Sequence, residues 1–149
     1  MDRPQPFLVQ DTSAWIPVSD EARGSKRKVW LVDPAGSLSQ EPSGSRWLFK
    51  YTKQARSGDD WSEKVASEIA EALGLPHARY ELAIRNSQQG VISLDFTRGG
   101  EAGTLVPGNE LLLELDPQYP REGKYRVAQH TIGKVLGVLS QNFILPPEG

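Results

Sequence analysis

The chain has 149 residues and a formal net charge of -2, with no cysteine. That length suits a single domain spanning residues 1–149, and the near-neutral charge gives no basic field to hold a nucleic acid directly. Absent thiols exclude a disulfide scaffold or a thiolate site, and no apolar run nears the roughly 20 residues that span a bilayer, so the expectation is a cytoplasmic protein without a membrane partner.

In chain order, FLVQ and WIPV read as short extended pieces, and the turn-rich SDEARGSKR leads into KVWLVDP, an alternating strand stopped by Pro34 to Gly36. After the polar loop SLSQEPSGS comes RWLFKY. Side chains alternate faces along a strand, so Trp47, Phe49 and Tyr51 share one side while Leu48 and Lys50 share the other. A lysine inside a strand is ordinarily solvated or at an edge, and Lys50 therefore needs its neighbours to be interpreted.

GDDWSEKVASEIAEALGLP predicts a helix. Asp60 and Glu63 have capping-box spacing, and Gly74 with Pro76 ends the run. Trp61, Val65, Ile69 and Leu73 recur every four residues and predict an apolar stripe that packs on a flat surface. ARYELAIR and GVISLDF, separated by NSQQG, predict a hairpin. NELLLELD is open between a strand and a helical turn, and PQYPREGKY is a linker. A last helix opens at Thr131, with Ile132, Val135, Leu136 and Leu139 on one side. His77 and His130 are far apart, follow no metal-ligand spacing and suit capping or surface positions.

A phosphoryl-transfer site of the kinase type needs a glycine turn over the phosphates, a strand lysine on their oxygens and a helix glutamate that holds the lysine. Gly24, Ser25 and Lys26 form the turn, Lys50 stands on the strand, and Glu63 or Glu68 stands on the helix. At about 100° per residue, Glu68 flanks the apolar stripe while Glu63 lies nearer the opposite side, so helix geometry alone selects Glu68.

The block WLFKY, GDDWSEKVASEIAEALGLPHARYELA, GVISLDF, PGNELL resembles the N-terminal lobe of HipA-like protein kinases, a bacterial family related in fold to phosphatidylinositol kinases. The matching features are Gly24, Lys28 and Trp30 at a strand entry, the Phe49-Lys50 strand ending, and the helix pattern from Glu63 to Ala70 leading to Leu73-Gly74-Leu75. The resemblance runs from about Trp15 to Leu145. It implies an α+β fold, a kinase N-lobe-like antiparallel sheet with one packed helix and a C-terminal helix. It further implies that Gly24, Ser25 and Lys26 cover the phosphates of ATP, that Lys50 contacts them, and that Glu63 is the partner of Lys50. Backbone groups around Ser93, Leu94 and Asp95 become the hinge that receives adenine.

A kinase also needs a catalytic aspartate with an asparagine five residues on and a metal-binding aspartate. None of the aspartates here has an asparagine at that spacing, and no D-F-G triplet occurs. The expectation is a truncated kinase or one subunit of a split kinase, inactive alone, with magnesium supplied through a C-terminal lobe. Its partners are ATP and that lobe or a partner chain, with self-association also open. The alternative is a non-enzymatic regulatory or interaction module, like a toxin-antitoxin subunit, that retains the lobe shape.

Overall fold

A computed structural model of the protein describes residues 7–21, 26–38, 41–53, 58–120 and 127–140. The fold is α+β: a six-stranded, mostly antiparallel sheet with three α-helices. The chain divides into two compact units, residues 1–103 and 104–149.

The first unit contains the strands β1 (Gln10–Asp11), β2 (Ile16–Asp20), β3 (Lys28–Val32), β4 (Arg46–Tyr51), β5 (Tyr80–Arg85) and β6 (Gln88–Leu94), with helix α1 (Asp59–Ala72) between β4 and β5. Their order across the sheet is β1-β5-β6-β4-β3-β2. All pairings are antiparallel except that of β1 with β5.

The alternation expected in β4 fixes the two faces. Trp47 pairs with Leu31 and Leu94, and Phe49 pairs with Val29 and Ile92. These positions form the dry side, where Leu31, Trp47, Phe49 and Ile92 are fully buried under Trp15 and Leu38. Trp15 meets Trp47 in a tilted ring contact with centroids 6.1 Å apart. Residues one position along, Leu48 and Lys50 of β4, Val91 and Ser93 of β6 and Tyr80 and Leu82 of β5, share the other face by register.

Three local devices hold this register. Asn86 and Ser87 both take positive φ, 49° and 64°, which closes the β5–β6 hairpin with a tight two-residue turn matched to strand twist. The buried Asp33 carboxylate ends β3 by accepting from the Ala35 amide at 3.0 Å and the Ser37 amide and hydroxyl at 2.5 and 2.9 Å. Gly90 leaves room for the Phe49 ring, since a Cβ there would lie 2.7 Å from that ring and 2.4 Å from the Lys50 carbonyl oxygen.

Helix α1 corrects two expectations. Its N-cap is Gly58 in the left-handed region, with no side-chain cap, so the Asp60–Glu63 capping box does not form. Its inward residues are Lys64 and Ser67, while Trp61, Val65, Ile69 and Leu73 are exposed. Amphipathic periodicity located a stripe correctly and assigned it to the wrong side, because polar groups satisfied by ion pairs and hydrogen bonds occupy the packed face. Ser67 donates to the Ala78 carbonyl at 3.2 Å.

In the second unit NELLLELD is helical as far as Leu115, in α2 (Gly108–Leu115) with Asp116 as its C-cap, and α2 packs with α3 (Ile132–Leu139) around Leu112, Tyr119 and Val138. Thr131 caps α3 by accepting from the Lys134 amide. The packed side of α3 is Val135 and Val138, whereas Ile132, Leu136 and Leu139 are exposed. Lys134 pairs with Asp116, and that hydrogen bond, with the Gln118 amide, holds the Asp116 carboxyl below its ordinary value. Among the described residues no helix is long and apolar enough to cross a membrane.

Candidate functional site

The site is assembled on the face of β4 opposite the dry core. Lys50 is half-buried, and its ammonium lies 2.7 Å from a Glu63 carboxylate oxygen and 2.8 Å from the Tyr80 hydroxyl. It also sits 4.5 Å from the centroid of the Tyr80 ring, within cation–π range. The second Glu63 oxygen is 3.5 Å from the Lys26 ammonium, which approaches Asp59 at 2.8 Å. One helix carboxylate thus joins a strand lysine to a lysine of the β2–β3 connection.

Glu63 reaches Lys50 because α1 turns its Lys64 and Ser67 side inward, and Glu63 borders that side. The geometric preference for Glu68 assumed that the apolar stripe faced the sheet. Glu68 instead accepts from Lys64 at 2.5 Å, and Lys64 also donates to Glu81 at 2.8 Å. Arg79 continues this second chain, 3.0 Å from Glu81 and 3.3 Å from Glu41. It locks α1 to β5 beside the Lys50 cluster.

Burial pushes the Lys50 ammonium toward neutrality, but the hydrogen bonds to Glu63 and Tyr80 outweigh it and leave the pKa above its ordinary value. Lys26 follows the same pattern: desolvation is offset by Asp59 and Glu63, with the net direction upward. Lys64 is likewise raised, burial being outweighed by Glu68 and Glu81. All three are firmly cationic at neutral pH.

Of the residues expected to act together, Lys26, Lys50 and Glu63 meet in one cluster. Gly24 and Ser25 lie outside the described residues. Ser93 is on the Lys50 face of the sheet, buried at the end of β6. The Leu94 amide donates to the Arg79 carbonyl at 3.1 Å and the Asp95 amide to the Arg46 carbonyl at 2.9 Å. The Asp95 carboxylate closes the following turn, accepting from the Thr97 amide and hydroxyl at 3.0 and 2.5 Å and from the Gly99 amide at 3.1 Å. These backbone donors are committed within the fold.

Tyr80 is the cluster residue that sequence reasoning missed. Its signal was its parity with Leu82 in ARYELAIR, readable only once β5 is registered against β6 and β4. A separate open cavity of about 720 Å³ lies at the hairpin end of the sheet, lined by Arg27, Tyr51, Thr52 and Gln89 among others, and it contains neither Lys50 nor Glu63. Among the described residues no three His, Asp or Glu side chains gather as a metal-binding group.

Chemically, the cluster can hold a fixed cation. An ammonium has three N–H donors, and Glu63 and Tyr80 take two of those of Lys50. The third remains to meet an anionic oxygen, and Lys26 brings a second positive charge alongside. No family model, curated protein or solved structure matches this chain.

Proposed function

We propose that the chain is the nucleotide-phosphate-binding N-terminal lobe of a HipA-like serine/threonine kinase, incomplete for catalysis by itself. The observation that carries this reading is the ion pair of a half-buried strand lysine with a helix glutamate, Lys50 to Glu63 at 2.7 Å. A cation held in this way need not reorganise when a polyanion arrives. Lys50 and Lys26 would hold phosphate oxygens of ATP, and Glu63 would fix both lysines; ATP supplies the transferable phosphoryl group when bound. These residues contain no aspartate with an asparagine five positions on, so the magnesium ligands and the catalytic base belong to a further kinase lobe or a partner chain. The setting that fits is bacterial cytoplasm, as half of a toxin-antitoxin-like pair.

The test is ATP with magnesium, read by amide NMR shifts and melting temperature, on the chain alone and joined to a C-terminal kinase lobe. The expected result is a shift centred on Lys26, Lys50 and Tyr80. Loss of one charged hydrogen bond in Lys50→Ala weakens it about tenfold or more. No nucleotide response in either form, or a response indifferent to Lys50→Ala, overturns the reading.

A second reading has its own support. The committed amides of Leu94 and Asp95 favour a non-enzymatic interaction module that retains the lobe shape, with Lys50 and Glu63 as a structural pair. Under it, Lys50→Ala lowers stability while the chain shows no affinity for ATP with or without a second lobe.

A further inference from the structure

The cavity at the hairpin end of the sheet takes no part in the Lys50 cluster. Its volume of about 720 Å³ falls within the range of small-molecule sites, roughly 300–1,000 Å³. Backbone pairing holds its walls: the Tyr51 amide donates to the Arg27 carbonyl at 3.0 Å, and the Thr52 amide donates to the Gln89 carbonyl at 3.0 Å. The β5–β6 turn supplies Ser87 to one side.

The lining has charge of one sign. Arg27 and Lys53 bring two cations, and among the described residues no aspartate or glutamate lines the cavity. The sequences that flank the two cations, ARGSKRK and YTKQARS, contain no acidic residue either, although the chain as a whole has a net charge of -2. The Arg27 guanidinium lies over the Tyr51 ring, 4.4 Å from its centroid. Stacking occupies the flat face of a guanidinium and leaves its N–H fork directed outward in the plane. A fork of fixed direction beside a second cation suits an oxyanion held through two of its oxygens. A phosphate monoester carries about -1.5 to -2 charges near neutral pH, which matches two cations better than a single carboxylate does.

The remaining lining is polar and uncommitted. Ser87, Gln88 and Gln89 are exposed, and among the described residues their side chains make no hydrogen bond within the fold. A glutamine amide offers donors and an acceptor side by side, the complement of a hydroxyl, which does both. The Thr52 hydroxyl is buried with no hydrogen-bond partner, so one wall retains an unmet polar group. Among the described residues Ile84 is the one aliphatic side chain of the lining.

We infer that this cavity binds a sugar or polyol phosphate. Arg27 forks onto the phosphate with Lys53 alongside, and Ser87, Gln88, Gln89 and Thr52 meet the hydroxyls of the body. The inference does not rest on nucleotide binding, since Lys50 and Glu63 lie outside the cavity.

The full chain is titrated at fixed ionic strength with glucose 6-phosphate, fructose 6-phosphate, ribose 5-phosphate and glycerol 3-phosphate, each beside its unphosphorylated twin, and with inorganic phosphate. Binding is read by NMR at the Arg27 Nε–H and at the amides of Tyr51, Ser87, Gln88 and Gln89. The expected result is that at least one of the organic phosphates shifts these signals and binds about tenfold or more tighter than both its twin and inorganic phosphate. Arg27→Gln weakens that binding about tenfold or more, and Gln89→Ala about threefold or more. Gln89→Ala alters only an exposed side chain and keeps the test decisive if Arg27→Gln unfolds. Lys50→Ala leaves the binding intact, which separates this result from the fate of the kinase reading; its loss in Lys50→Ala would move the ligand to the Lys50 cluster and overturn the inference. No response to any of the organic phosphates, binding no tighter than that of inorganic phosphate, or binding indifferent to both cavity variants also overturns it. So does a response of the same amides to a single-stranded oligonucleotide with none to the small phosphates.

Discussion

Lys50 shows how neighbours convert an ordinary side chain into a fixed charge. Desolvation works against its ammonium, and Glu63 and Tyr80 overcompensate, so its folded pKa lies above the ordinary 10.5. A raised pKa stabilises the fold fully below the unfolded value and loses that contribution as pH rises through the folded value. Unfolding free energy should therefore fall as the pH rises above about 10.5, and less steeply in Lys50→Met. Lys26 and Lys64 titrate in the same sense and remain in the variant, so the difference in slope isolates Lys50; identical slopes by denaturant titration would refute its coupling. At Gly90 the constraint is steric. A methyl group 2.4 Å from a backbone oxygen and 2.7 Å from the Phe49 ring forces strand β6 from its neighbour. Gly90→Ala should cost about 2 kcal/mol or more, visible as a lowered melting temperature; an unchanged one would mean that the Phe49 ring yields freely.

Helix α1 inverts the usual rule that apolar stripes are buried, and mutations should reflect this. Ile69→Ser on the exposed face should change stability by no more than about 0.5 kcal/mol. Lys64→Ala, which strips Glu68 and Glu81 of a buried partner, should cost about 1–3 kcal/mol; chemical denaturation of both variants compares them directly, and the reverse ranking would place the helix the other way round. The strands were legible because alternation in KVWLV, RWLFKY and GVISL needs only local parity, and the NSQQG hairpin because turn chemistry is local too. The lysine–glutamate pair was legible through a family resemblance. Helix geometry alone chose Glu68, because sequence periodicity identifies a stripe without saying which partner surface it meets. Tyr80 was invisible for the same reason: its role depends on register between strands that are not adjacent in sequence.

At the scale of the molecule there are two cores of unequal depth. The sheet core unites fully buried Leu31, Trp47, Phe49 and Ile92, whereas the second unit rests on Leu112, Tyr119 and Val138. Buried apolar contact sets local opening free energy. Amides of Phe49 and Ile92 should thus exchange with solvent more slowly than those of Leu112 and Val138. Leu112→Ala should accelerate exchange within residues 104–120 and 127–140 and leave the sheet amides unchanged, as cooperative units open separately; sheet amides that accelerate equally would show one cooperative unit. The parallel pairing of β1 with β5 has a further consequence, for the path by which the chain folds. Thr12 donates to the Ile84 carbonyl across 72 positions, and Arg85 donates to the Thr12 and Trp15 carbonyls across 73 and 70. No ribosome can complete these contacts until β5 has emerged. Trp15, made early, must wait in solvent for a partner made late, and the closure of so long a loop delays the reward for its entropy cost. The first strand in sequence is thereby the natural last strand in time, and the seal on the tryptophan core is set only when nearly the whole sheet exists.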